Sequence, residues 1–198
     1  VIERGGVRGV KHRAVATEAG VPLAATTYYV DDIQSLLHDA FVHYVESRLS
    51  TDSESVQSQA HLLLQRFNLS EQIASDRQAF LVNGIADILY AHVKSQVKQV
   101  TERRVEVAFR HEALCNEDWA AVVAIPHQLQ LQAIEECLGL LGSTNPQADA
   151  QVVMGTLLYL EYNLSLKNGE EQWARARETL VRMMAGLLGL PNETALAS

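Results

Sequence analysis

Residues 11–29 concentrate side chains that can bind the phosphates and base edges of a nucleic acid. Lys11 and Arg13 supply positive charge, and four hydroxyl groups follow within a short stretch. Cationic and hydroxyl side chains donate to phosphate oxygens, and small side chains allow close approach to base edges. The residues predicted to make such contacts are Lys11, Arg13, Pro22, Leu23, Ala24, Thr26, Thr27, Tyr28 and Tyr29.

Two short helices joined by a tight turn must position these side chains. Pro22 suits the first turn of the second helix, because the N–H that proline lacks has no partner there. Gly20 supplies the positive φ of the turn, and the small side chain of Ala16 lets the second helix cross closely. The residues predicted to face inward are Val15, Ala19 and Val21. This arrangement is a helix-turn-helix, a unit that lays its second helix in the major groove of DNA.

The charge of the chain is distributed unevenly. The net charge is −8, yet residues 1–30 carry four basic and two acidic side chains, whereas the remainder carries 12 and 22. A basic end on an acidic body is typical of a DNA-binding head on a regulatory body. The sequence therefore predicts a head in residues 1–45, with a truncated first helix, and a body in residues 46–198.

The chain is predicted to be all-α, with about nine helices, because strand and hairpin patterns are missing. Asp31-Asp32 is predicted to cap a helix, and the polar stretch 50–55 to interrupt it. Pro126 is predicted to kink or break a later helix, and residues 142–146 form a clear turn. Cys115 and Cys137 lack CxxC spacing and are predicted to be buried thiols of a reducing compartment.

Residues 15–41 resemble the N-terminal signature of TetR-family (tetracycline-repressor-like) transcriptional regulators. The matching features are Val15-Ala16, Ala19-Gly20-Val21, an aromatic cluster and Leu36-Leu37. The resemblance implies an all-helical homodimer with a DNA-binding head and an effector-binding, dimer-forming body. It also implies a repressor that leaves a palindromic operator when a small molecule binds. Two recognition helices would then lie about 34 Å apart on the operator.

The body contributes two further sets of candidate residues. Strong apolar patterns in the last two helices predict a four-helix dimer interface. Its predicted residues are Val153, Leu157, Leu160, Leu164, Leu180, Met184 and Leu187. The resemblance implies an effector site in the middle helices, where polar side chains at helical spacing and aromatic side chains could line a small-molecule cavity. Its predicted residues are Phe80, Asn83, Asp87, Tyr90, Arg104, His111 and Trp119.

Three positions leave a second interpretation open. Thr27, Val30 and Ile33 stand where the family pattern has tyrosine, phenylalanine and lysine, which favours a helical small-molecule sensor with weak or lost DNA binding. An enzyme is not predicted, because GxSxG, Walker, GxGxxG and HExxH motifs do not occur. No metal or cofactor is predicted either. Without a secretory signal or a membrane-spanning run, the chain is expected in the cytoplasm.

Overall fold

The computed structural model describes residues 1–29, 32–69, 74–167 and 169–189. Within these ranges the side chains of residues 29, 48–57, 60–61, 64, 66–69 and 74–77 lie outside the description. The described residues form nine α-helices, a short 3₁₀ turn at Val7–Gly9 and no strand, which confirms the predicted all-α class. The helices are α1 (Ile2–Gly5), α2 (His12–Ala19), α3 (Leu23–Tyr29), α4 (Ile33–Leu69), α5 (Ala74–Lys98), α6 (Val100–Ala113), α7 (Glu117–Leu140), α8 (Pro146–Leu166) and α9 (Glu170–Leu187).

The turn predicted at residues 142–146 is confirmed and shows how α8 begins. Gly142 has a φ of +84°, a conformation that favours glycine. Asn145 then caps α8, because its Oδ1 accepts from the backbone N–H of Ala148 at 3.3 Å. Pro146 follows at the first helical position, where its fixed φ suits the helix.

The predicted interruption at residues 50–55 is wrong, because helix α4 continues through them. Helix α7 also continues through Pro126, so the chain has no break there, and the alternative of a kink stays a prediction. Residues 50–55 contain no glycine or proline, and serine, threonine and aspartate cost only about 0.7 kcal/mol each in a helix interior. Around Pro126 the helix is held by packing, since Val122 and Val123 are partly buried against a hydrophobic cluster.

The described helices divide into two compact units. Unit 1 comprises Val1–Ser50 and Gln99–Gln128, and unit 2 comprises Thr51–Lys98 and Leu129–Ser198. The predicted head at residues 1–45 thus belongs to a unit that also contains α6 and the first part of α7. The physical reason is a shared core, because Phe109 and Trp119 are buried together with Phe41. The DNA-binding and effector-binding roles of the two parts stay predictions.

Each unit has its own hydrophobic core. The buried core of unit 1 consists of Val7, Val10, Leu37, Phe41, Phe109 and Trp119. The core of unit 2 is formed by α5, the end of α7, α8 and α9, with Val82, Ala86, Leu180 and Ala185 fully buried. Cys115 is exposed and so is not the buried thiol predicted, whereas Cys137 is half-buried and burial raises the pKa of its thiol.

Candidate nucleic-acid interface

The turn between α2 and α3 has the geometry that the sequence predicts. Gly20 is left-handed, with φ 67° and ψ 28°, and follows the last residue of α2. The N–H of Gly20 donates to the Thr17 carbonyl at 3.3 Å, and the N–H of Val21 donates to the Ala16 carbonyl at 3.0 Å. This pair of hydrogen bonds is a Schellman motif, which ends a helix and turns the chain sharply.

Small side chains allow α2 and α3 to pack against each other after this turn. Ala16 is buried in α2, as predicted, and Val15 is partly buried. The other two residues predicted to face inward do not, because Ala19 and Val21 are both exposed. Their place is taken by Thr26 of α3, which is 8% exposed.

One face of α3 remains open. Leu23, Ala24, Thr27 and Tyr28 are exposed, with Tyr28 retaining 80% of its accessible surface. At 100° per residue these four side chains occupy an arc of about 140°. We call these four residues the α3 outer face. The side chain of Tyr29 and residues Val30 and Asp31 lie outside the described residues, whereas Pro22 is exposed just before the helix.

Thr26 corrects the predicted set of contact residues. It lies outside the arc of the α3 outer face and is buried, and its hydroxyl donates to the Leu23 carbonyl at 2.8 Å. A buried hydroxyl that is engaged with its own helix cannot reach a phosphate or a base. Helical spacing explains the difference, because Thr26 lies about 100° from Thr27 around the axis and therefore faces α2.

Two exposed cations at the start of α2 have no acidic partner among the described residues. Lys11 precedes α2 and Arg13 lies in its first turn, and both are exposed. Among the described residues no carboxylate lies within ion-pair distance of either side chain. Arg4 instead pairs with Glu18, and Arg8 lies 3.6 Å from Glu112. Lys11 and Arg13 therefore carry the positive charge that remains available in this part of unit 1.

Asp32 places a negative charge after α3, and that charge stabilises the start of α4. Its Oδ1 accepts from the backbone N–H groups of Gln34 and Ser35 at 2.6 and 2.9 Å, which confirms its predicted role as a cap. The hydrogen bond from Ser35, followed by that from Gln34, lowers the pKa of Asp32. Ile33, where the family pattern has lysine, is partly buried against the core of unit 1.

We expect the stability of the protein to depend on the ionisation of Asp32. Because the pKa is lowered in the folded state, its contribution is present above the ordinary value near 3.8 and is lost as the pH falls through the lowered value. Urea unfolding midpoints should therefore fall more steeply with acid in the wild type than in Asp32→Asn, which keeps an acceptor but does not titrate. Parallel pH profiles would contradict this role.

The predicted effector residues in unit 2 form an exposed link between α5 and α9. Arg177 Nε donates to Asp87 Oδ1 at 2.9 Å, and Arg177 Nη2 lies 3.5 Å from Asn83 Oδ1. Tyr90 packs edge-on against Trp173, with ring centroids 5.7 Å apart. Phe80 is 42% exposed. Asn83, Asp87 and Tyr90 thus lie where α5 packs against α9, and their role in effector binding stays a prediction.

The other three predicted effector residues belong to unit 1 and do not form a common site there. Arg104 lies 3.3 Å from Glu3, and His111 is exposed. Trp119 is buried in the core of unit 1, and its indole Nε1 donates to Gln34 Oε1 at 3.3 Å. The aromatic ring that was predicted to line an effector site therefore stabilises the unit that contains α2 and α3.

The predicted dimer residues are buried inside unit 2. Val153, Leu157, Leu160 and Leu164 are at most 6% exposed, Leu180 and Met184 at most 1%, and Leu187 is half-buried. The opposite side of α8 is open instead. We call it the α8 outer stripe, and its members are Ala148, Val152, Gly155, Tyr159, Tyr162 and Leu166. The residues of the α8 outer stripe recur at i, i+4, i+7 and i+11 in the sequence. Because the buried residues of α8 are also apolar and have helical spacing, the two sets could not be told apart before the structure.

A buried polar pair in unit 2 was not predicted. Glu161 of α8 is 4% exposed within an otherwise apolar side of the helix, and its Oε1 lies 3.5 Å from Nε2 of half-buried His92. Gln96, one turn further along α5 from His92, is also 4% exposed. The signal in the sequence was the single carboxylate within the apolar run of α8.

Comparisons with known proteins found no relative: no family model matches the chain, and no curated protein matches it. Across the described residues, no group of three or more His, Cys, Asp or Glu side chains could hold a metal ion. In the same part of the chain, every helix is too short or too polar to cross a membrane.

Proposed function

We propose that the chain is a DNA-binding transcription regulator of the TetR type, acting as a cytoplasmic repressor. The observation that carries the proposal is the Schellman turn at Gly20, which joins α2 to a short helix with one open face. In a helix-turn-helix the second helix is the one that enters the major groove. Here that helix is α3, and its open face consists of Leu23, Ala24, Thr27 and Tyr28.

The charges around α3 support contact with a phosphate backbone. Lys11 and Arg13 are exposed, and both lie at the start of α2, the helix that crosses the backbone in this motif. Neutralising phosphates releases counterions and supplies affinity that does not depend on sequence. The acidic charge of Asp32 is directed at the backbone amides of α4 and so competes less with that contact.

We propose a second copy of the chain as the partner of the α8 outer stripe. The stripe has no charged residue over six positions, so two chains of net charge −8 can meet there without like-charge contact. Three of its large members, Tyr159, Tyr162 and Leu166, are 59% to 69% exposed. At its centre, a Cβ on Gly155 would meet no atom within 4 Å, so another helix can approach closely. A two-fold dimer reads a palindromic operator.

The test is binding of the full chain to duplex DNA that it enriches from a random-sequence library. We expect the affinity to fall linearly on a log scale with salt. Arg13→Ala and Lys11→Ala should each reduce that slope by about 1, because each removes one phosphate contact. Tyr28→Ala should weaken binding at every salt concentration. The matched control is Arg175→Ala, which removes an exposed α9 arginine paired with Glu171 at 2.6 Å and should leave the slope unchanged.

The competing function is a helical sensor without DNA binding. If the full chain enriches no sequence and does not retain random duplex at low salt, the sensor is favoured and the regulator is excluded. If it binds but Arg13→Ala and Lys11→Ala keep the wild-type salt slope, these residues are not the phosphate contacts.

A further inference from the structure

Helix α3 has an unusual composition for a helix that reads bases. Its sequence is LAATTYY, without arginine, lysine, asparagine, glutamine or an acidic residue. Arginine and lysine are the side chains that contact guanine with two hydrogen bonds, asparagine and glutamine do so with adenine, and carboxylates accept from cytosine. Helix α3 therefore has no side chain that can make these contacts to guanine, adenine or cytosine.

The α3 outer face instead offers apolar groups. Leu23 is 44% exposed, and Ala24 and Thr27 are exposed beside it on the same arc. The Thr27 hydroxyl donates to the Ala24 carbonyl at 3.2 Å, so its proton is engaged within the helix. What these three side chains share is a methyl or isobutyl group at the surface.

We propose that α3 reads its operator through the C5-methyl groups of thymine. This inference rests on the proposed function and names the base feature that the same site recognises. The C5-methyl is the apolar group on the major-groove edge of the four base pairs, and alanine, threonine and similar side chains contact it directly. Leu23, Ala24 and Thr27 are the specificity-determining residues, whereas Lys11 and Arg13 supply affinity that is independent of sequence.

The probe is the duplex that the full chain enriches, with single thymines replaced by uracil. Uracil pairs like thymine but lacks the methyl group. Binding should weaken about fourfold for each thymine that α3 contacts, the factor that corresponds to burial of one methyl-sized group. Replacements at thymines outside the enriched positions are the internal control and should leave binding unchanged.

Double-mutant cycles separate direct contact from recognition of DNA shape. Thr27→Ser keeps the hydroxyl and removes the methyl, and Leu23→Ala shortens the apolar side chain. Each variant should bind the thymine duplex more weakly and the uracil duplex with little further change, so that the two losses are not additive. The matched control is Leu114→Ala, which removes an apolar side chain that is 87% exposed and lies outside α3.

The outcomes distinguish the inference from the function on which it rests. A full chain that binds neither enriched nor random duplex overturns the proposed function. A full chain that binds thymine and uracil duplexes equally leaves the regulator in place and overturns methyl recognition. Additive losses in the cycles also overturn it, because they show that uracil changes the shape of the duplex rather than a contact with Leu23 or Thr27.

Discussion

Replacing Phe109 by alanine should destabilise unit 1 by about 3–5 kcal/mol, the range typical of a buried phenylalanine. Phe109 is 1% exposed, and its ring centroid lies 4.5 Å from that of Phe41 and 5.3 Å from that of Trp119. Alanine would leave a cavity between rings contributed by α4, α6 and α7. Because the same unit contains α2 and α3, DNA binding should be lost at temperatures where the wild type still binds.

The chain offers a clean optical readout for this variant. It has two tryptophans, Trp119 in unit 1 and Trp173 in unit 2. In a Trp173→Phe background the fluorescence of Trp119 alone reports urea unfolding of unit 1. The matched control is Leu114→Ala, because Leu114 is 87% exposed in unit 1 and its loss should change the free energy of unfolding by less than about 1 kcal/mol. Equal losses for both variants would show that the cluster around Phe109 does not stabilise unit 1.

Replacing Tyr159 by glutamate should convert the proposed dimer into a monomer. Tyr159 is 63% exposed at the centre of the α8 outer stripe, where a two-fold axis would bring a side chain close to its own copy. Glutamate there places like charges together and removes an aromatic contact. Affinity for a palindromic duplex should fall at least about a hundredfold, because binding of the second half-site is no longer intramolecular.

Sedimentation measures the first effect and titration of the duplex the second. Leu114→Glu is the control, since it places the same charge at an apolar position that is 87% exposed in unit 1. It should leave the oligomeric state of the wild type unchanged. The proposed interface is wrong if Tyr159→Glu remains a dimer. A wild type that is monomeric at all concentrations would contradict the proposal that a second copy of the chain binds the α8 outer stripe.

Local sequence determined those features that arise within a few residues of the chain. The left-handed turn at Gly20, the cap at Asp32 and the turn before Pro146 were all predicted, because each depends on one side chain or one backbone conformation. The all-α class followed from helical spacing along the whole chain. Local signals were weaker than the helical tendency of the flanking sequence, which is why residues 50–55 were wrongly predicted to interrupt α4 and why α7 has no break at Pro126.

Tertiary packing decided which side of each helix is buried, since an apolar side chain has the same spacing whether it enters a core or faces solvent. Val153 and Tyr159 lie on the same apolar helix, yet the first is buried in unit 2 and the second is exposed. The same holds for α3, where packing against α2 buries Thr26 and leaves Thr27 open. Sequence by itself therefore determined that two short helices joined by a tight turn are present. Only the packing of α3 decided which of its side chains remain open to a partner, because burial depends on residues distant in sequence.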